Sequence, residues 1–498
     1  MEDKLLELLN KKDQIIINIL RKISEKNIDY SLLYLSEEFN FSTRTILRYV
    51  ADLDDYVNCY NQDKKKDFEL IHNKKGIQLV ISDEANINFL ISFIFQKNDT
   101  IKLLKSLLIQ KHDSLNDYKI ANYESTISIN NSIDKISKFL DPYNLNINRI
   151  KFSIEGLESS IRLLMQNVFW LTCRCDEFPS EFQMLDKHLL NNNMQYIIEI
   201  FSINYQHSIK IKDLKFRLCI TLIRYQKKNI VYLNEKQKQN IPIYKNDFGR
   251  PSLYEAIESI LNTHRIYNQE EIYFLTYSFL MNSLIYTDKS IKNKIFQHHV
   301  LLETDVYKST LLFLDEFQQE ICQIPHEKLN DIFEFIFKTH LIASLDSAEL
   351  SDYNSYIFEK IRYQTPGFIE KISLIIEKLS NRDIHIFDEK KYLLNRYSIL
   401  GYSLNMMLLK KKTITILLNT DFPDAYEKFI REHLVNLYKN KYKILFIEDI
   451  FYKNYDLLLT SYYSEEEKVK NILNISYPLT QREIQSLDSK LEEISNDS

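Results

Sequence analysis

The sequence predicts a mainly α-helical chain of several domains that ends in a small α/β domain. Three observations carry that expectation. Residues 160 to 400 space their apolar positions at the helical period, with few breakers and no strand pattern. From 410 onward short apolar runs alternate with helical segments, as in a small open parallel sheet. Before residue 165 a pair of short helices followed by a hairpin occurs twice. The length, 498 residues, suits about three to five domains of ordinary size.

Composition narrows the function classes. Hydrophobic residues make up 45% and charged residues 27%, which provides for several cores and excludes disorder over most of the chain. Only five glycines occur, at 76, 156, 249, 367 and 401, where average usage would give about 35. Neither GxGxxG nor GxxxxGK[ST] can be written from those positions, so the dinucleotide fingerprint and the P-loop are both absent. The net charge of −5 neither suggests nor excludes a nucleic-acid partner. Cysteines 59, 173, 175, 219 and 322 are odd in number and scattered. No basic-then-apolar leader opens the chain, and apolar runs such as Phe89 to Phe95 fall far short of a span of about 18 residues. A reduced cytoplasmic protein with no membrane partner is expected.

The first unit, 1–82, places apolar residues on two short helices between Leu35 and Leu53, with a turn between them and Ser42 as N-cap of the second. Ile46, Tyr49, Val50 and Leu53 gather on one face of that helix, and Arg44 and Arg48 on the opposite one. Phe68 to His72 and Ile77 to Ile81 flank the turn Asn73-Lys74-Lys75-Gly76, which reads as a hairpin with a basic tip. This is the pattern of a winged helix-turn-helix, which sets one helix in the major groove and the hairpin on the flanking backbone. Ser42, Thr43, Arg44 and Thr45 then begin the reading helix. Arg44 suits guanine O6 and N7, Arg48 a base edge or phosphate, and Lys74 and Lys75 phosphate. Such bundles also serve protein contacts. From 42 to 76 seven basic residues face six acidic ones, so the footprint is not strongly electropositive.

The second unit, 83–165, repeats the first. Thr126-Ile127 lies 30 residues before Gly156, as Thr45-Ile46 lies 31 before Gly76. A helix from Ser125 to Leu140 carries the stripe Ile129, Ile133, Ile136 and Leu140, and a hairpin is expected at Ile150 to Ile154, returning after Gly156. In place of an arginine pair it offers Ser125, Ser128, Asn131, Lys135 and Lys138. Two helical domains should follow, 166–292 and 293–405, then an α/β domain over 406–498. In that tail, strands are expected at 413–418, 442–448, 455–460 and 472–476, with helices at 425–438, between the last two strands and from Thr480. The loop Asn419 to Pro423 after the first strand is where such a sheet would place chemistry, and it holds neither Cys nor Gly.

This order of domains resembles the Mga and AtxA family of regulators of low-GC Gram-positive bacteria. The local carriers are Phe41-Ser42-Thr43-Arg44-Thr45-Ile46 and Ile154-Glu155-Gly156-Leu157-Glu158-Ser159-Ser160-Ile161-Arg162. The resemblance implies that the helical domains are PTS regulation domains, phosphorylated on His by the sugar phosphotransferase system. It also implies an EIIB-like tail that supports homodimerisation. The sequence departs from that pattern. At the seven-residue spacing before Arg224, Arg217 stands where the acceptor would be, and Ser278 stands at the second acceptor position. Lys338-Thr339-His340-Leu341 resembles acceptor surroundings without the later Arg, and the tail's first loop lacks the transfer Cys.

His340 and, by placement, His207 are therefore the phosphorylation candidates, since imidazole is nucleophilic and titrates near neutrality. His188, His264, His298, His299, His326, His385 and His433 read as surface or core residues, and Cys173-x-Cys175 lacks a second ligand pair for zinc. The acidic run Glu465 to Glu467 reads as a solvated helix start. The expected function is that of a DNA-binding transcription regulator, an activator of virulence or carbohydrate-linked genes. Its partners are double-stranded promoter DNA, a second copy of the chain and a phosphotransferase-system phosphocarrier protein. No catalytic residue, cofactor or metal is expected. The alternatives are an RNA-binding antiterminator, a phosphocarrier enzyme, or a scaffold that binds no nucleic acid.

Overall fold

The computed structural model describes all residues except 1, 175, 177, 204–207, 244–249, 346–347, 352–357, 359–360, 362–365, 383, 409–411, 439–441, 448–454, 462–470, 477 and 497–498. It divides into two compact units, Met1–Ser398 and Ile399–Ser498. The boundary precedes the expected 405/406 border and falls within one helix, Lys390–Leu408.

The larger unit opens with α1 (Glu2–Leu8), α2 (Lys11–Ile23), α3 (Leu32–Phe39) and α4 (Thr43–Asp63), then β1 (Phe68–Asn73) and β2 (Gly76–Ile81). Ile16, Ile17 and Leu20 of α2 and Ile46, Val50 and Leu53 of α4 are fully buried, which is the stripe that the helical period sets on one face. Asn40 ends α3 in the left-handed conformation with φ 56°, a role that Asn takes at low cost. Ser42 caps α4 by accepting the Thr45 N–H at 3.2 Å, as expected. The hairpin carries a third element: Tyr30 N donates to Ile77 O at 2.8 Å and Ile77 N to Tyr30 O at 2.9 Å.

The second helix-turn-helix follows as α5 (Ile87–Lys97), α6 (Asp99–Ile109), α7 (Leu115–Asn122) and α8 (Thr126–Leu140), with β3 (Asn146–Asn148) and β4 (Ser153–Glu155). Ile129, Ile133, Ile136 and Leu140 are all fully buried. The hairpin lies earlier than expected. Its strands flank the tip residues 149–152, and Gly156 follows the return strand. The physical cause is the tip itself. Asn148 Oδ1 accepts the N–H of Ile150 and of Lys151, both at 2.9 Å. Asn73 Oδ1 does the same in the first hairpin, for Lys75 N–H at 2.8 Å and Gly76 N–H at 3.0 Å.

Helices complete this unit: α9 (Glu158–Thr172), α10 (Lys187–Ile200), α11 (Ser208–Gln226), α12 (Glu235–Gln239), α13 (Leu253–Thr263), α14 (Gln269–Leu280), α15 (Lys289–Leu302), α16 (Asp305–Glu320), α17 (His326–Ala343), α18 (Pro366–Ser380) and α19 (Lys390–Leu408). No strand interrupts them among the described residues, and α15 covers the expected division near 291 to 300.

The smaller unit holds β5 (Lys412–Asn419), α20 (Asp424–Tyr438), β6 (Tyr442–Ile447), β7 (Leu457–Thr460), β8 (Ile472–Asn474) and α21 (Gln481–Asn496). The four strands are all parallel in the order β6-β5-β7-β8. Ile414, Ile416 and Leu418 of the central strand pack with Ile430 and Leu434 of α20 and Leu487 and Leu491 of α21. The short helix expected after β7 lies outside the described residues.

Candidate nucleic-acid interface

Helix α4 begins where a capped N-terminus meets solvent. Ser42, Thr43, Arg44 and Arg48 are exposed and Thr45 half-buried. The Ser42 and Thr45 hydroxyls lie 2.9 Å apart and Ser42 also caps the helix, so these two side chains fix the turn. Arg44 and Arg48, one turn apart, point away from the buried stripe. Neither forms an ion pair among the described residues, and the Arg48 guanidinium lies 5.4 Å from the Tyr49 ring. Tyr49 itself packs edge-on against Phe41 of the turn, at 5.8 Å. Lys74 and Lys75 stand exposed at the hairpin tip.

Placement engages half of the acids counted over 42–76, namely Asp52, Asp63 and Asp67. Asp52 takes Lys12 at 2.7 Å and Asp63 takes Lys97 at 2.9 Å, while Lys64 pairs with Asp176 and Lys65 with Glu84. Asp67 is buried and accepts the Tyr60 hydroxyl at 3.1 Å and the Ser82 hydroxyl at 3.0 Å. These acids are thereby engaged by other partners, and the cations at the helix start and the hairpin tip keep their charge.

The second unit is built alike and presents different chemistry. Ser125 caps α8 through Ser128 N–H at 3.1 Å, and Ser128, Asn131, Lys135 and Lys138 are exposed. Its wing is neutralised, with Arg149 on Asp134 at 2.9 Å and Lys151 on Glu155 at 3.3 Å. Three apolar side chains stand out in their place. Tyr123 in the turn is 97% exposed, Ile127 at the helix start 76% and Ile150 at the wing tip 89%. Tyr123 and Ile150 lie outside the helical stripe, which is why periodicity did not single them out.

A buried ionic network anchors this unit to the helices beyond it. Arg162 is 2% exposed and reaches Glu271 at 2.6 and 2.9 Å and Glu158 at 2.9 Å. Arg224, 1% exposed, holds Glu158 at 2.6 and 2.8 Å and donates to the Leu108 carbonyl of α6 at 2.8 Å. Burial alone would raise the Glu158 carboxyl, but the hydrogen bonds and charges of Arg224 and Arg162 outweigh it and hold it below the ordinary carboxylate range. The resemblance to PTS regulation domains implied for Arg224 a place seven residues after an acceptor. The structure gives it to the joint between α6, α9 and α11.

Arg217 and Ser278, at the two acceptor positions, meet: Arg217 Nη1 donates to Ser278 Oγ at 3.0 Å, and its Nε to Asp213 at 2.8 Å. His340 is fully buried, where a phosphoacceptor must face its donor. Its Nδ1 lies 2.8 Å from Ser309 Oγ and 3.1 Å from Thr310 Oγ1, and its Nε2 meets the Tyr397 hydroxyl. A phosphoryl donor has no route to either nitrogen in this conformation. His207 lies outside the described residues. His299 is buried as core, while His298 is half-buried and contacts Gln239 O at 2.8 Å. Cys173 is buried beside Lys105, Cys175 lies outside the described residues, and no metal-binding cluster occurs among the described residues. No described helix is long and apolar enough to cross a membrane. In the tail, Asp421 N–H donates to Ser461 Oγ at 3.0 Å, and Thr420 Oγ1 to Glu427 at 2.6 Å, so the loop after β5 is fastened by hydroxyls.

A serine-capped helix presented beside a turn-closed hairpin is the mark of a helix-turn-helix protein. Residues 83–169 match the Mga helix-turn-helix domain. The capsule synthesis positive regulator AcpA of Bacillus anthracis is 22% identical over 326 residues, 64% of this chain and 64% of that relative's length, so the match spans just under two thirds of it. The anthrax toxin expression trans-acting positive regulator of Bacillus anthracis is 21% identical over 444 residues, 86% of each chain. The chain thus carries a Mga helix-turn-helix domain and is similar over most of its length to two positive regulators of Bacillus anthracis.

Proposed function

We propose that this protein is a DNA-binding transcription activator, and that both helix-turn-helix units grip double-stranded promoter DNA. The observation that carries the reading is the pair Arg44 and Arg48, exposed one turn apart at a capped helix start, with no ion pair among the described residues. Guanidinium groups so placed suit bidentate pairing to guanine, and Lys74 and Lys75 suit the flanking phosphates. The two relatives, named as positive regulators of capsule synthesis and toxin expression, support activation of virulence-type genes.

Two further parts of the reading rest on less. Homodimerisation through the C-terminal unit is supported by Tyr426 (57% exposed), Val435 (41%) and Leu437 (43%), apolar side chains that α20 leaves in solvent. Modulation by a phosphotransferase-system phosphocarrier has two candidate acceptors. At His340 it requires α17 to expose the ring, and His207 is the acceptor that placement along the chain suggests.

Anisotropy titration of labelled duplex from upstream of the protein's own gene, against a scrambled duplex, tests the DNA reading. Arg44→Ala should cost about 1 to 3 kcal/mol on the cognate duplex and little on the scrambled one, whereas Lys74→Ala should weaken both alike. Equal losses on every sequence for both variants would remove base reading from Arg44. No binding to either duplex by the wild type would remove the DNA reading itself.

A further inference from the structure

A cavity of about 360 Å³ lies among α9, α11, α17 and α19 and the end of α14, inside the larger unit. Four cations line it, Lys210, Arg217, Lys338 and Arg396, against one carboxylate, Asp213. That carboxylate is already engaged by Arg217 at 2.8 Å, Gln166 at 2.7 Å and Asn282 at 2.9 Å. Lys338 is met from outside the cavity by Glu334 at 2.9 Å, which also holds Lys292 at 3.1 Å. Lys210 is exposed at the rim and forms no ion pair among the described residues. The lining therefore keeps a positive excess.

Two buried amides point to the rest of the ligand. Asn167 is 1% exposed and lines the cavity, and neither its Oδ1 nor its Nδ2 has a hydrogen-bond partner among the described residues. Gln166, 3% exposed, gives its Nε2 to Asp213, and its Oε1 has no partner among the described residues. Amide groups buried this deeply cost free energy unless they are met. Two acceptors and one donor ask for hydroxyl groups, which supply both. Trp170 and Phe335 add a flat apolar wall, and the volume lies in the range of small-ligand sites.

We propose that this cavity binds a small hydroxylated organic anion, a polyol carrying a phosphate or carboxylate group. The anion lies among Lys210, Arg217 and Arg396, and the hydroxyls meet Asn167 and Gln166. The proposal goes beyond the DNA-binding reading, and its test reads no DNA.

Trp170 is the chain's single tryptophan, so intrinsic fluorescence reports on the cavity wall directly. Full-length protein is titrated at constant ionic strength with glucose 6-phosphate, gluconate, glucose and inorganic phosphate. One of the first two should give a saturable change, with the stronger identifying phosphate or carboxylate, and glucose and inorganic phosphate should bind at least about tenfold more weakly. Lys210→Ala should weaken binding about tenfold or more by removing one charge-assisted contact, and Asn167→Asp by as much, because it replaces an amide donor with a carboxylate that repels the anion. Lys210 is exposed, so its variant keeps the fold, and thermal unfolding checks Asn167→Asp. Trp170 also faces a cavity of about 740 Å³ beside Phe89 and Phe216, which neither substituted residue lines. A fluorescence change that both variants retain would place the ligand there and overturn the proposal. So would no saturable change with any anion, or glucose or inorganic phosphate binding as tightly as the hydroxylated anions.

Discussion

His340 shows what a single residue can hide from a linear reading. Its neighbours Lys338 and Thr339 resemble an acceptor motif, but Tyr397, 57 positions further on, closes over the ring. Burial lowers the His340 pKa to about 3, and that of His299, buried beside Phe337, to about 3 as well. Both rings are therefore neutral when folded, whereas the unfolded chain takes up a proton near 6.5. The unfolded state binds more protons between those values, so stability falls as pH drops from about 6.5 toward 3. Each histidine contributes about 1.4 kcal/mol per pH unit in that window. Urea midpoints at pH 7 and pH 5 should separate strongly for the wild type, and by about one histidine's share less for His340→Phe. An unchanged pH dependence in the variant would mean that the folded ring is accessible to protons, which would reopen the acceptor reading.

At the scale of the element, the wings show which signals were legible. Helix faces were readable because burial follows a fixed period: Ile46, Val50 and Leu53 in α4 and the isoleucine stripe in α8 are the residues that the spacing placed inside. The parallel tail was legible for the same kind of reason, since strand and helix periods alternate along it. The second hairpin was not, because a glycine register was used to align it. Gly76 sits in the tip of its wing, whereas Gly156 follows a completed one, and the feature the two tips share is an asparagine whose side chain closes the turn, Asn73 and Asn148. The two glycines also differ in what they permit. A Cβ at Gly76 would lie 2.1 Å from the Tyr30 carbonyl oxygen at φ +149°, and its three nearest atoms are all backbone of Tyr30 and Ser31. At Gly156, φ +145°, it would first meet Leu145 Cδ2 at 2.5 Å, a side-chain atom that can turn away. Gly76→Ala should cost about 2 kcal/mol or more and loosen the Tyr30–Ile77 bridge, and Gly156→Ala should cost less. Hydrogen exchange at the Ile77 amide, alongside denaturation midpoints, distinguishes them. Equal costs with Ile77 protection intact would show that the bridge is not what demands glycine.

For the whole molecule, the net charge carries little information and the pairing of charges carries a great deal. Residues 42–76 hold seven bases against six acids and residues 101–151 eight against five, which favours the second unit as the electrostatic anchor. Placement redistributes that advantage: Arg149 and Lys151 are each held by a carboxylate, while Lys135 and Lys138 form no ion pair among the described residues. Arg224 ties α6 to α9 and α11 through Leu108 and Glu158, so the second unit is fixed to the helical body when DNA arrives. If both units hold one duplex, each phosphate neutralised adds about 0.9 to the slope of log K against log salt. Lys135→Ala with Lys138→Ala should therefore flatten the slope by about 1.8, without altering the preference for the cognate over the scrambled duplex. Arg149→Ala with Lys151→Ala removes the same formal charge from the same unit. It should change the slope by much less, because those cations are already compensated and releasing Asp134 and Glu155 adds a small repulsion. A salt series of anisotropy titrations on the two double variants separates pairing from counting. Equal flattening by both pairs would show that bound DNA pulls the wing cations from their carboxylates. No flattening by either would leave the first unit to hold the duplex alone.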